Sequence, residues 1–321
     1  MKNIAEVIAA VEKTIKELRS DRTPVELFEP YHYIMELGGK RIRPLLVLWG
    51  YYLFRDDWQN ALKPAVAVEV FHNFTLVHDD VMDNAPLRRG KPTVHEKWDT
   101  NVAVLSGDLM LIESYALLLQ FPFVNLSEVM KQFSVCAADV CRGQQFDMNF
   151  PKVARVTRED YLEMIRLKTA VLPAFCLQLG AFAAEADDQN ARLLYETGEA
   201  VGIAFQIKDD YLDAFGDAET FGKQAGGDIL ENKKTILYIL AYESDDAARK
   251  DAFDAAFALQ GEEKVRRVTE LFRLYEIDKI ALDIAERYFE RAFSLLNSLQ
   301  ISQDKKKLFE GFLKGIKERN V

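Results

Sequence analysis

Residues 64–83 read PAVAVEVFHNFTLVHDDVMD. Pro64 is placed to open a helix, and the apolar run behind it continues to about Asp83. The run ends in three carboxylates. Asp79 and Asp83 are four apart and share a helical face, and Asp80 lies on its flank. Three like charges on one turn repel each other, and the C-terminal end of a helix is the worse place for them. Such local inconsistency points to a bound cation. Oxygen-only ligands suit Mg2+, which is held by carboxylates together with substrate phosphates and waters. A single DDxxD also reads as a solvated acidic helix end. The spacing recurs, however, in FQIKDDYLDAFGD at 205–217, where Asp209 and Asp213 share a face and Asp210 flanks them. The two triads are 130 residues apart, so they are no local repeat. Closing two apolar helices, they read as two walls of one metal-filled cavity. A cavity that needs both segments argues for a single domain over residues 1–321, although the length permits two.

Working outward, helical periodicity is found almost everywhere. Gly and Pro are sparse, at 16 and 9, which disfavours many short strands joined by tight turns. Helices are expected at 4–19, from Pro44 to about 54, 64–83, 94–120, Ser127 to about 147, 157–184, 188–214, 232–243, 246–258, 262–273, 277–297 and 303–318. Thr157 with Asp160 three residues on reads as a capped start, and Pro173 predicts a kink. The glycines of Phe215–Gly227 predict a mobile loop. The class is all-α.

A composition of 49% hydrophobic and 29% charged residues suits a globular chain and excludes disorder. The formal net charge is −10, from 41 basic and 51 acidic residues, which speaks against a nucleic-acid partner. Cys136, Cys141 and Cys176 form no CxxC pair and read as reduced, buried thiols of a cytoplasmic protein. Glu6 and Glu12 interrupt what would be the apolar part of a signal peptide. The longest uncharged run, Thr169–Ala184, is short of the roughly 20 residues of a transmembrane segment.

The basic residues form a third pattern. GGKRIRP at 38–44 sets Lys40, Arg41 and Arg43 at a helix start, where cations are disfavoured unless an anion joins them. Arg88 and Arg89 follow the first acidic triad; Lys168, Lys223 and Lys233 lie further on. Arg grips phosphate bidentately, and Lys supplies a compact charge. Lys305–Lys307 reads as a solvated face.

These stretches together resemble the trans (E-type) isoprenyl diphosphate synthases, or polyprenyl synthetases. The matching motifs are GGKRIRP, HDDVMDNAPLRRG at 78–90, GQQFD at 143–147, Lys168-Thr169, FQIKDDYLDAFGD and GKQAGGDILENKKT at 222–235. They occur in the family order over most of the chain. The resemblance implies an isoprenoid-synthase type bundle of long helices around a deep central cavity, working as a homodimer. The implied reaction joins isopentenyl diphosphate head-to-tail to an allylic diphosphate (dimethylallyl, geranyl or farnesyl) with Mg2+. It gives Asp79, Asp80, Asp83 and Asp209 to the metal, with Asp210 and Asp213 supporting. Arg88, Lys168 and Lys223 would bind the allylic diphosphate; Lys40, Arg43, His72 and Arg89 would bind isopentenyl diphosphate; Lys233 would stand near the metals. Phe205, Gln206 and Thr169 would stabilise an allylic cation.

A class I terpene cyclase shares the fold and the first triad, but its second metal motif is of another type and it lacks the GGKRxRP site. A non-catalytic subunit of a heteromeric synthase usually loses motif aspartates, and none is lost here. For product length, an aromatic at the fifth position before the first triad resembles C20, geranylgeranyl, synthases. Phe74 holds that position. Thr75, where farnesyl (C15) synthases favour an aromatic, does not provide one. The helical wheel disagrees, because Phe74 falls about 140° from Asp79, at about 100° per residue. Phe71 and Met110 are the next candidates for a floor.

Overall fold

The computed structural model describes residues 3–19, 22–216 and 226–318. Their regular structure is helical apart from one hairpin of two-residue strands, β1 (Leu87–Arg88) with β2 (Lys91–Pro92). The chain packs as two compact units: Met1–Phe133 with Phe175–Leu194, and Ser134–Ala174 with Tyr195–Val321.

The first unit holds α1 (Ile4–Glu17), α2 (Val25–Glu36), α3 (Ile42–Tyr52), α4 (Leu62–Met82), α5 (Val94–Lys97) and α6 (Thr100–Leu119). In α1 the residues Val7, Val11 and Ile15 form the buried stripe, and the Asn3 side chain accepts from the Glu6 amide at the start. Residues of α4 are buried from Pro64 to Phe71 almost without interruption. A helix apolar on all sides is a core helix. Arg41 adopts the left-handed region, at φ 50°, just ahead of α3. Its guanidinium is fully buried and contacts Glu12 at 2.7 Å, Glu69 at 2.6 Å and the Met35 carbonyl at 2.7 Å. One side chain therefore ties α1, α2 and α4 to the entrance of α3. Stranding one member of such a buried pair costs about 3–5 kcal/mol.

The second unit holds α8 (Arg158–Ile165), a π-helical turn (Arg166–Ala170), α11 (Gly227–Leu230), α12 (Ile236–Tyr242), α13 (Ala247–Phe257), α14 (Gly261–Leu274), α15 (Ile277–Ser298) and α16 (Gln303–Lys317). Three helices, α7 (Leu126–Asn149), α9 (Val171–Ala183) and α10 (Asp188–Phe215), contribute residues to both units. Phe253 and Phe272, 5.7 Å between ring centroids, anchor an apolar core that runs through α12 to α15.

Several boundaries differ from the sequence expectation. α2 was not expected, because Pro30 lies inside it and Pro24 just before it. The helix expected at 94–120 is two helices: the Asp99 side chain accepts from the Val102 amide and starts α6 afresh. Asn125 caps α7 in place of Ser127, accepting from Glu128 N. Thr157 and Asp160 do form a capping box. The irregularity credited to Pro173 lies upstream, as the π turn, where Val171 N donates to Arg166 O. Pro173 has no N–H for the Thr169 carbonyl, and its ring crowds that carbonyl, so the preceding turn widens. Of the loop expected at Phe215–Gly227, residues 217–225 lie outside the described residues.

Cys136 and Cys176 are buried, but Cys141 is exposed, contrary to expectation, because it falls on the outer face of α7. Lys306 is buried rather than solvated: its ammonium donates to the Asn297 carbonyl at 2.6 Å. There it satisfies an orphan carbonyl at the end of α15. By length and hydropathy two stretches reach the size of a membrane span, Thr100–Leu119 and Arg158–Ala183, though neither is free of charge. The second is largely buried and carries the π turn.

Candidate active site

In the first unit the basic motif and the residues after the first triad gather around His72. Its imidazole is held well below its ordinary pKa by burial first, and then by the charges of Arg43, Arg89, Arg88 and Arg41. Two of those cations are neutralised. Arg41 has Glu12 and Glu69, and Arg88 grips both oxygens of buried Asp80 at 2.7 Å each. Arg43 and Arg89 have no ion-pair partner among the described residues. Arg43 has a buried Nε without a hydrogen bond, and Arg89 donates to the Gly38 carbonyl. Burial lowers the pKa of both. Lys40 is exposed beside them in sequence. The result is a local positive excess with a neutral imidazole at its centre, which fits an anion with several oxygens.

The first acidic triad is less uniform than its spacing implies. Asp79 is half-buried, Asp83 exposed and Asp80 buried against Arg88. On the same helix Phe74 packs on Phe71 at 5.5 Å and on His78 at 4.8 Å. His78 reaches the Val104 carbonyl on α6. Phe74 therefore meets the His78 ring edge-on, one turn along α4. Behind it, Phe71 meets Phe133 at 5.1 Å, and Phe133 meets Tyr115 at 4.6 Å. Met110 is fully buried, and the Thr75 hydroxyl bonds back to the His72 carbonyl at 2.8 Å.

In the second unit a pocket of about 150 Å³ brings together Lys168, Thr169, Gln206, Asp209, Asp210, Asp213 and Lys233. The π turn presents Lys168 and Thr169. Glycines on two helices admit that turn: a Cβ at Gly143 would lie 2.2 Å from Lys168 N, and one at Gly202 would lie 2.6 Å from Ala170 Cα. Lys168 contacts Asp147 at 2.5 Å. The Thr169 hydroxyl donates to Gln206 Oε1 at 3.0 Å, and Gln206 Nε2 donates to Asp210 Oδ1 at 3.0 Å. Asp210 also accepts from the Tyr161 hydroxyl at 2.5 Å and from Ile236 N at 3.2 Å. Burial pushes its carboxyl up to about 7, against the pull of the Tyr161 hydrogen bond. Asp213 accepts from Asp228 N at 2.9 Å and holds the start of α11. Lys233 contacts Asp228 at 3.3 Å. Burial penalises its charge, yet Asp228 and Asp147 outweigh that and raise its pKa.

Phe205 is exposed, which removes plain core packing as its explanation, and it does not line this pocket. Lys223 lies outside the described residues. Among the described residues no three His, Cys, Asp or Glu side chains converge closely enough to cage a metal by themselves.

Comparison with known proteins decides what this arrangement serves. The polyprenyl synthetase family model matches residues 24–275. The chain belongs to the polyprenyl synthetase family. It is therefore a prenyltransferase. A geranylgeranyl diphosphate synthase of Methanosarcina mazei is 36% identical over 285 residues, 88% of this chain and 87% of that one. A short chain isoprenyl diphosphate synthase of Methanocaldococcus jannaschii is 40% identical over 226 residues, 70% and 69% of the two chains. A crystal structure of a geranylgeranyl pyrophosphate synthase superposes with a TM-score of 0.93 at 42% identity, covering 99% of both chains.

Sequence reasoning left Tyr161, Asp147 and Asp228 without roles. Asp147 and Asp228 stood inside quoted motifs. Tyr161 gave no signal, since its partner lies 49 residues away.

Proposed function

We propose that this protein is a short-chain trans-prenyltransferase that condenses isopentenyl diphosphate with an allylic diphosphate, with geranylgeranyl diphosphate (C20) as its main product. The observation that carries this reading is the uncompensated positive cluster of Arg43 and Arg89 around neutral His72, in a chain of this family. C20 is favoured by likeness to geranylgeranyl synthases and by Thr75, which offers no second aromatic before the triad. The family match draws on both packing units, which supports one functional domain over 1–321.

The donor set fits Mg2+. All the triad ligands are carboxylate oxygens, and Mg2+ needs only one or two of them when substrate phosphates and waters complete its shell. Asp79, Asp80, Asp83 and Asp209 would hold it, with Asp210 and Asp213 supporting. Bound there, Mg2+ would supply positive charge to neutralise a departing diphosphate. The chain's own residues do the rest. Lys40, Arg43, His72 and Arg89 hold isopentenyl diphosphate; Arg88, Lys168 and Lys223 hold the allylic diphosphate, with Lys233 beside them. The allylic C–O bond breaks, and Thr169 and Gln206 face the cation with oxygen dipoles. The double bond of isopentenyl diphosphate attacks, and the released diphosphate takes the proton.

The enzyme acts as a homodimer in the cytoplasm, a reading supported by three free thiols and by an exposed apolar stripe on α6. The test is incubation with isopentenyl diphosphate, labelled allylic diphosphate and Mg2+, followed by chromatography of dephosphorylated products. C20 is expected, with turnover abolished by a chelator and restored by Mg2+. A released hydrocarbon would indicate a cyclase. Turnover that needs a second polypeptide would indicate a non-catalytic subunit. Turnover without metal would overturn the ionisation scheme. Phe74→Ala should lengthen the product by only one or two isoprene units, because Phe71 and Phe133 remain behind it. An unchanged distribution would move the floor to Phe71 or Met110.

A further inference from the structure

We infer that Tyr161 is a positioning residue for this reaction: acting through Asp210, it fixes the Gln206 amide so that the carbonyl oxygen, not the NH2 group, is presented beside Thr169. The inference rests on the reading above that Thr169 and Gln206 face the allylic cation.

The hydrogen-bond directions follow from chemistry. Asp210 receives three donors: the Tyr161 hydroxyl, Gln206 Nε2 and Ile236 N. As a carboxylate, the form that the Tyr161, Gln206 and Ile236 hydrogen bonds favour against burial, Asp210 is acceptor-only. Turning the Gln206 amide over would set oxygen against oxygen at 3.0 Å, so Nε2 must face Asp210. Oε1 then faces Thr169, whose single hydroxyl proton goes to it. Both side chains line the pocket, and where the Thr169 hydroxyl meets the Gln206 carbonyl what they have left to offer is oxygen lone pairs. Oxygen dipoles favour a cation; a turned amide would present N–H and oppose it.

Tyr161 sits at the closed end of this chain. It is 1% exposed and its ring packs among Met164, Ile165 and other apolar residues of the same core. Its hydroxyl makes the shortest of the three contacts to Asp210. Without it, Asp210 keeps one donor on each oxygen and the carboxylate plane is held less firmly. The Gln206 amide then loses the fixed acceptor that sets its sense. A tyrosine that only fills the core would have no such link to turnover.

The test compares steady-state kinetics of the full chain at saturating Mg2+ for Tyr161→Phe, Gln206→Leu and the double variant, with thermal unfolding as a check of the fold. Tyr161→Phe keeps the ring and removes one hydroxyl. Its kcat should fall roughly tenfold, the size of one lost hydrogen bond in the transition state, with little change in either KM. Added to Gln206→Leu it should change nothing further, since it acts through that amide. Asp210→Asn, isosteric and able to offer either oxygen or NH2 to Gln206, should reproduce the kcat loss with the Mg2+ concentration for half-maximal rate unchanged, and serves if Tyr161→Phe does not fold; a raised Mg2+ requirement with wild-type kcat at saturation would assign Asp210 to the metal and overturn the inference. Wild-type kcat in folded Tyr161→Phe would overturn the inference, as would a Tyr161→Phe loss that multiplies in full onto Gln206→Leu. Wild-type kcat in Gln206→Leu alone would instead remove the cation role given to Gln206, and the inference with it.

Discussion

Burial first, and then the charges of Arg43, Arg89, Arg88 and Arg41 on two other segments, keep the His72 imidazole neutral. In the unfolded chain that imidazole titrates near its ordinary value of about 6.5. The folded pKa is depressed, so below pH 6.5 the unfolded state binds more protons than the folded one. Stability contributed by this group is present above pH 6.5 and declines as pH falls through the folded pKa. Asp210, whose raised pKa adds stability as pH falls, works in the opposite sense, so the test is the difference between proteins: from pH 7 to pH 5 the ligand-free wild type should lose more thermal stability, or gain less, than His72→Gln. An identical change in both proteins would show that His72 does not titrate in this way. The neighbouring residue Arg41 marks a limit of reading from sequence. Its motif presents three cations at a helix start, and nothing local separates Lys40 and Arg43 from Arg41. The separation comes from Glu12 and Glu69, 29 and 28 residues away, which make Arg41 part of the frame.

The π turn at Arg166–Ala170 is the element whose shape bears most directly on the pocket. It is fixed from both sides: by the missing N–H of Pro173 and by glycines at 143 and 202 that leave room for it. Pro173→Ala restores a donor for the Thr169 carbonyl and favours a regular α-turn. One residue fewer in the widened turn rotates Lys168 and Thr169 by about 100° relative to α8. The fold should be as stable as wild type or more so, while kcat falls at least tenfold, the order of a misplaced catalytic group. Full activity in Pro173→Ala would mean that the glycines alone hold the turn. The helices themselves were legible because apolar periodicity and caps are local, as the Thr157–Asp160 box shows. The Trp98–Asp99 break and the π turn were not. One depends on which side chain wins a backbone amide, and the other on what a neighbouring helix leaves room for. The triads were legible by spacing, which set Asp80 and Asp210 on the flank of each but could not name their partners. Their commitments to Arg88 and to Tyr161 are long-range contacts that no local pattern carries.

For the molecule as a whole, the open question of physical chemistry is what covers α6. Leu105, Ile112 and Leu119 are 59%, 65% and 56% exposed and recur every seven residues, so they form one stripe. Val104 widens it. A contiguous apolar face of this kind on a monomer is a mark of association. Its seven-residue period suits a helix meeting a copy of itself. A homodimer sharing α6 would bury the stripe at every step. Ile112→Glu places a charge at the centre of that face in both subunits at once, where two like charges would meet across the symmetry axis or lie unpaired beneath the seam. The variant should sediment as a 36.7 kDa monomer at concentrations where wild type sediments at twice that mass. Because Ile112 is solvent-exposed within one chain, the subunit itself should remain folded by circular dichroism. The same hydropathy makes α6 long and apolar enough to lie in a bilayer, and the two outcomes separate cleanly. A self-associating stripe leaves wild type in the aqueous fraction of a vesicle flotation assay and dimeric. A membrane-seeking stripe floats with the vesicles and loses that affinity in Ile112→Glu. Wild type that is monomeric and does not float would remove both roles from α6 and leave its exposed leucines without a partner.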